Sequence, residues 1–305
     1  MRAFLARKLL LLPVLLLVVT ALVFGLVELV PGDPVDFMIG ENAALDRRVE
    51  LRAAYHLDDP LGQRFVRFYR ELLGGELRSL HTRRPVMEIV GSRLPHTAWL
   101  AVVALLFSAL LAIPLGTLAA WRPGGWVDAG SRVGALVGIS IPNFWLGPLL
   151  IILFSIRLGW LPVSGADRAA SVILPGLTLG LGMASILTRI TRAAVLDVLQ
   201  ADFVRTARAK GLSEARVVVL HALRAALVPV LTVLGLQFGA LLTGAIITEE
   251  VFGWPGLGRE IVLAIRSRDL PVIQGCVLVI ATTWVLVNTT TDLLYARADP
   301  RVELT

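Results

Sequence analysis

Residues 97–120 read TAWLAVVALLFSALLAIPLGTLAA, with no charged side chain in the whole stretch. Coiled as an α-helix at about 1.5 Å per residue it reaches about 36 Å, enough to cross the roughly 30 Å hydrocarbon core of a bilayer. Further runs of similar character follow at Val133–Leu158, Val172–Ile190, Val228–Thr248 and Val272–Thr291. One more precedes it: Arg2, Arg7 and Lys8 lead into an apolar run from Leu9 to Val30, interrupted only by Pro13, Thr20, Gly25 and Glu28. A cleaved leader would have a shorter apolar core and an A-x-A-like site, so this run is expected to persist as the first span. Composition agrees, since 56% of the 305 residues are apolar and 17% charged, against roughly a quarter charged in soluble domains. The expected fold is an all-α membrane protein with six transmembrane helices. Pro114, Pro142, Pro148 and Pro175 fall inside spans, where neighbouring helices can satisfy the carbonyls they free.

The predicted organisation is an N-terminal transmembrane helix (1–30), a long polar segment (31–93), a core with the other five spans (94–294) and a short tail (295–305). The core includes a loop at 197–227. With segment 31–93 set aside, because segments of roughly 60 residues translocate largely regardless of charge, placing the N-terminus in the cytoplasm leaves 14 Lys/Arg inside and 5 outside. Both termini are therefore expected inside, and 31–93 is expected to form a small extracytoplasmic subdomain. It opens on a turn signal, Pro31-Gly32-Asp33-Pro34, and continues through helices expected around Asp46–Tyr55 and Gln63–Leu73. Its mixed charges suit a surface that meets a soluble partner.

The net charge of +6 does not point to nucleic acid. Lys8 and Lys210 are the only lysines, no Lys/Arg run exceeds two, and a basic excess fits cytoplasmic flanks of spans. The single Cys276 lies in a span and cannot form an intramolecular disulfide.

The stretch with most to say is Asp202-Phe203-Val204-Arg205-Thr206-Ala207-Arg208-Ala209-Lys210-Gly211-Leu212-Ser213. It reads as a short helix with Asp202 as N-cap, Arg208 and Lys210 at the negative C-terminal end, and Gly211 in a left-handed stop. Ser213 is expected to cap a second helix, with Glu214 in its first turn, running to about Leu227 before Pro229 enters the fifth span. Small Ala207 and Ala209, taken as exposed, would let another protein approach closely, with Arg205 and Arg208 orienting it. From these residues alone an ordinary basic cytoplasmic loop fits equally well.

Phe203–Ser213, followed by His221-Ala222-Leu223-Arg224 and Pro229, resembles the cytoplasmic loop of ABC importer permeases, E-A-A-x3-G-x9-I-x-L-P. Its departures are those of the dipeptide/oligopeptide permease subfamily. Pro31–Pro34, His56-Leu57-Asp58-Asp59-Pro60, Glu249–Gly258, Arg268-Asp269-Leu270-Pro271 and Asp292…Asp299-Pro300-Arg301 are similar to that subfamily in the same order. Gly74–Ser79 departs from its usual G-D-x-G-x-S.

The resemblance implies a type I importer permease in a prokaryotic inner membrane, with segment 202–213 coupling it to an ATPase. The implied partners are a homologous second permease subunit, one or two kinds of cytoplasmic ABC ATPase, an extracytoplasmic substrate-binding protein and membrane lipid. ATP and Mg would sit in the ATPase subunits, leaving this chain without a cofactor or catalytic residue. The sequence agrees, since neither lysine follows a glycine and so no G-x-x-x-x-G-K-[ST] phosphate loop exists. The cargo the subfamily suggests is peptide, with nickel, glutathione, haem or oligosaccharide as alternatives.

Polar residues within spans, Asn143, Gln237, Asn288 and Asp292, are candidates for the pathway or for helix–helix hydrogen bonds. Glu28, Glu249 and Glu250 are expected near the outer surface, solvated or snorkelling. Two other classes compare poorly. An intramembrane hydrolase would need a base beside Ser140, whereas His56, His81, His96 and His221 all fall in polar segments. An ion-coupled carrier would be expected to show an inverted repeat and mid-span carboxylates, and none is evident.

Overall fold

The computed structural model describes residues 2–28, 35 and 45–298. The Pro31–Pro34 turn and the Asp299-Pro300-Arg301 motif lie outside the described residues. The chain packs as two units, one formed by residues 2–97 and 255–285, the other by 98–254 and 286 onward.

In the first unit, α1 (Arg2–Glu28) is followed by two amphipathic helices, α2 (Leu45–Ala54) and α3 (Leu61–Gly74), close to where the sequence places them. Aromatic rings join α1 to α3: Phe24 meets Phe65 and Phe68 edge-on at 5.2 and 5.5 Å, a favoured ring geometry. Tyr69 adds a hydrogen bond from its hydroxyl to Thr20 Oγ1 at 2.9 Å. Past α3 the chain makes a narrow turn bridged at Arg78 and Pro85 and enters α4 (Val86–Trp121). The helix holding 97–120 thus starts well before that run, because Val86, Ile89 and Val90 bury in this unit's core.

Two more elements complete the unit, α11 (Leu257–Ser267) and the first part of α12 (Leu270–Ala298). Between them Arg268 adopts a left-handed conformation (φ 55°), which lets buried Asp269 turn back on the 77–86 segment. Its carboxylate accepts hydrogen bonds from the Ser79 hydroxyl and, at 3.1 Å, from the Leu80 N–H. Thr97 Oγ1 accepts the Leu257 N–H at 2.8 Å, satisfying a donor in the first turn of α11. Arg93 pairs with Glu260 at 2.9 Å.

The second unit is built around α7 (Ile173–Leu199). Of its apolar window 61% is buried, against 28–33% in the other long apolar helices, which makes it the central element. Around it lie the rest of α4, α5 (Trp126–Ser140), α6 (Asn143–Arg157), the continuous helix α9 (214–244) and α10 (Ile246–Val251). Four described helices are long and apolar enough to cross a bilayer, and α5 with α6 makes a fifth only as a bent pair. The apolar part of α1, Leu10–Gly25, is shorter.

Two expectations need correcting. The run Val133–Leu158 is not one straight span: α5 and α6 meet at 102°. Pro142 has no N–H to donate and pushes the residue before it out of the α region, and Ile141 is extended (φ −86°, ψ 116°). Nor does a helix stop before Pro229. The chain stays helical from 214 to 244, with a π-helical stretch at Val217–Leu223 and Pro229 inside the helix.

Close approach of α4 and α7 depends on Gly180, where an added Cβ would lie 2.8 Å from the Ala104 carbonyl oxygen. Gly180→Ala should therefore cost about 1–3 kcal/mol and lower the melting temperature in detergent. Gly130→Ala on α5, where nothing lies within 4 Å, should leave it unchanged or raise it. Equal behaviour of the two variants would contradict this packing.

Candidate functional site

Segment 202–213 forms α8 (Asp202–Ala209) and the turn after it. Val204 and Ala207 sit one turn apart and bury against Val198, Leu199, Leu212 and Val217, so the helix is pinned by its apolar side. The helix ends in a Schellman turn: the Gly211 N–H bonds to the Arg208 carbonyl at 2.9 Å and the Leu212 N–H to the Ala207 carbonyl at 3.4 Å. Gly211 has φ +78°, the left-handed conformation expected of it. Ser213 occupies the N-cap position of the next helix, without a side-chain capping bond.

Three details differ from expectation. Ala201, in an extended conformation, holds the N-cap position; Asp202 is the first helical residue, where its charge still favours the helix N-terminus. Ala207 is buried, not exposed, because the i, i+3 spacing with Val204 puts it on the core side. Arg208 is committed within the chain, its Nε 2.7 Å from Glu214 Oε1, tying α8 to α9. What α8 presents outward is Phe203, half exposed, with Arg205, Thr206, Ala209 and Lys210. An aromatic ring beside two cations and a small side chain makes a face suited to a protein groove with an acidic rim. His221 and Ala222 lie in the π-helical stretch that follows, and Arg224 just after it.

An ion pair on a buried carboxylate is not legible in the sequence. Asp128, in the first turn of α5 and 1% exposed, receives Arg192 of α7 in a fork, Nε to Oδ1 at 2.6 Å and Nη2 to Oδ2 at 2.9 Å. The Gly124 N–H adds a third bond at 2.9 Å. Removing Arg192 would leave the buried Asp128 carboxylate with only the more distant Arg132, at 3.5 Å, as a cation. An isolated Asp at a helix start ordinarily reads as a surface residue, so only a partner 64 positions away reveals the role.

Among the span residues, Gln237 Nε2 donates to the Met183 carbonyl at 3.3 Å, and its Oε1 is buried without a partner among the described residues. Asn143 stands beside Gly182 and Asn288 beside Gly239. The side chains of Glu28 and Asp292 lie outside the described residues. Glu249 departs from expectation: it is fully buried, held in the tight 245–254 turn whose Phe252 and Trp254 also bury. The Ser140 hydroxyl donates to the Leu136 carbonyl at 2.8 Å. Among the described residues no cluster of His, Cys, Asp or Glu could hold a metal ion.

A helical membrane core with such a loop fits an ABC-importer permease subunit, and comparison with known proteins shows that class. The chain belongs to the family of binding-protein-dependent transport system inner membrane components, matched over residues 112–304, with the family's N-terminal region matched over 1–101. It is 45% identical over 289 residues to the glutathione transport system permease protein GsiC of Salmonella paratyphi A, covering 94% of each chain. It is 42% identical over 333 aligned positions to the di/tripeptide transport system permease protein DppB of Pseudomonas aeruginosa, covering 99% of each. A solved structure of the MetNI methionine ABC transporter shares the fold, with a TM-score of 0.59 at 18% identity over 71% of this chain and 99% of that one. The chain is therefore a multi-pass inner-membrane protein with the type I permease fold.

If Arg208 braces the α8–α9 turn, Arg208→Glu and Glu214→Arg should each lower uptake by the assembled transporter severalfold, and the double swap should recover most of it. An inactive double swap would mean that Arg208 instead touches a partner.

Proposed function

We propose that this subunit carries short peptides inward, as half of a pathway completed by a homologous permease. Two cytoplasmic ATPases, of one or two kinds, hold the ATP and Mg and drive it, and an extracytoplasmic binding protein supplies the cargo. Both termini lie in the cytoplasm, which puts α8 on the ATPase side and segment 31–93 outside. Supporting the peptide cargo, the two relatives described above are named for glutathione and for di/tripeptides, and glutathione is itself a tripeptide.

The observation that carries the mechanism is α8 itself: one face fixed to the chain's own core, the other offering Phe203, Arg205, Thr206, Ala209 and Lys210. Seated in a cleft of an ATPase, such a helix moves as that ATPase closes on ATP. Through Leu212, Ser213 and the Arg208–Glu214 pair it carries the displacement into α9, which runs unbroken into the bundle. A bundle with two packed arrangements then alternates between inward-open and outward-open states.

Gly211→Val tests the coupling, because a β-branched residue is strained at positive φ. The variant should insert normally yet lose about tenfold or more of peptide uptake and of peptide-stimulated ATP hydrolysis in reconstituted vesicles. Full activity would refute a coupling role for the turn. The cargo is tested by isolating the complex with its binding protein and identifying the bound ligand by mass spectrometry. A metal ion or sugar in place of a peptide would overturn the peptide reading.

A further inference from the structure

Within the first unit a cleft of about 290 Å³ opens between α3, the end of α2, the 77–83 turn and the start of α12. Its lining is chemically divided. Phe68, Leu77 and Leu80 form a buried apolar floor. Arg78 and Arg83 come from the turn: Arg83 lies over the Tyr55 ring at 4.5 Å and Arg78 donates to the Arg83 carbonyl at 3.0 Å. Glu71 and Glu76 line the cleft from the C-terminal end of α3 and just beyond it. None of these four charged groups forms an ion pair among the described residues, whereas neighbouring Arg67 is taken by Asp59 at 2.7 Å.

Gln274 also lines the cleft. Its side chain is 5% exposed, and the amide, tied by no hydrogen bond among the described residues, opens onto the cleft. The backbone around the cleft is strained, with His56 and Arg83 both at positive φ.

We infer that this cleft binds a short peptide with free ends. Arg78 and Arg83 take its carboxylate, Glu71 and Glu76 its ammonium, the Gln274 amide its peptide bond, and the apolar floor one side chain. A peptide amide both donates and accepts, as the Gln side chain does, so the two are complementary. Charge-assisted bonds at each end would discriminate free from blocked peptides. The rim is open to solvent, so binding is weak, with Kd on the order of 0.1–1 mM. The assignment rests on the proposed uptake reading, in which this unit's polar segment faces the side from which peptide arrives, and it adds a site outside the membrane-crossing core.

The test uses the full chain in nanodiscs with three probes, the dipeptide Ala-Phe, its N-acetyl form and its C-terminal amide, read by saturation-transfer NMR. The free dipeptide should bind about tenfold more tightly than either blocked form. Arg78→Gln with Arg83→Gln should abolish discrimination against the amide while keeping discrimination against the acetyl form. Glu71→Gln with Glu76→Gln should do the reverse. Gln274→Leu should weaken all three probes without lowering the melting temperature. Equal binding of free and blocked peptides, or variants that leave the pattern unchanged, overturns the inference, as does a loss confined to binding-protein capture. Peptide uptake is measured in parallel. Uptake retained without cleft binding rejects this site alone, and cleft binding without any peptide uptake rejects the transport reading while supporting the site.

Discussion

Every backbone N–H and C=O that enters hydrocarbon must find its partner within the protein, and this requirement governs the chain from end to end. It explains the long helices α4, α7, α9 and α12, and it explains where the departures fall. The break between α5 and α6 comes at Pro142, a residue with no N–H to satisfy. The π-helical stretches at Ile151–Arg157 and Val217–Leu223 keep the chain hydrogen-bonded where regular α-geometry gives way. Even the polar side chains obey it, as Thr178, Thr188 and Thr282 each return their hydroxyl to a carbonyl four residues back.

Within that frame, rigidity is unevenly placed. Asp128 and Arg192 join α5 to the central helix through a buried fork, and Asp269 holds the 79–80 turn in the other unit. By contrast α8 is held by a half-exposed ion pair and a small apolar contact. Elements that move are drawn from the less stable end of a structure, and the proposed mechanism asks α8 to be one of them.

Much of this was readable in the residues. Six apolar runs announced a membrane fold, α2 and α3 fell close to where their amphipathic patterns put them, and Gly211 took the left-handed stop its position called for. What escaped reading was contact at a distance. Hydropathy averages over a window and could not distinguish a straight Val133–Leu158 span from one bent at Pro142. Ala207 reads as exposed beside Ala209 in a docking face, whereas its spacing from Val204 puts it on the core side. Asp128 and Arg192 look unremarkable singly, and the buried Glu249 could not be told from its neighbour Glu250 by composition. Cleft-lining Gln274 likewise sits in an apolar run where only the fold shows which way it matters.

The π-helical stretch at Val217–Leu223 carries a consequence for how the chain tolerates change in length. A π turn holds about one residue more than an α turn, so it absorbs an extra residue without breaking the helix. Were one residue lost there, α9 could relax to uniform α-geometry with its two flanks nearly in phase, whereas the same loss in a regular α-helical stretch would turn whatever lies upstream by about 100° relative to the bundle. In the first case Phe203 and its neighbours keep their direction, and in the second they lose it. The wide turn thus acts as slack in the helix, letting the bearing of α8 survive a one-residue change in this stretch alone.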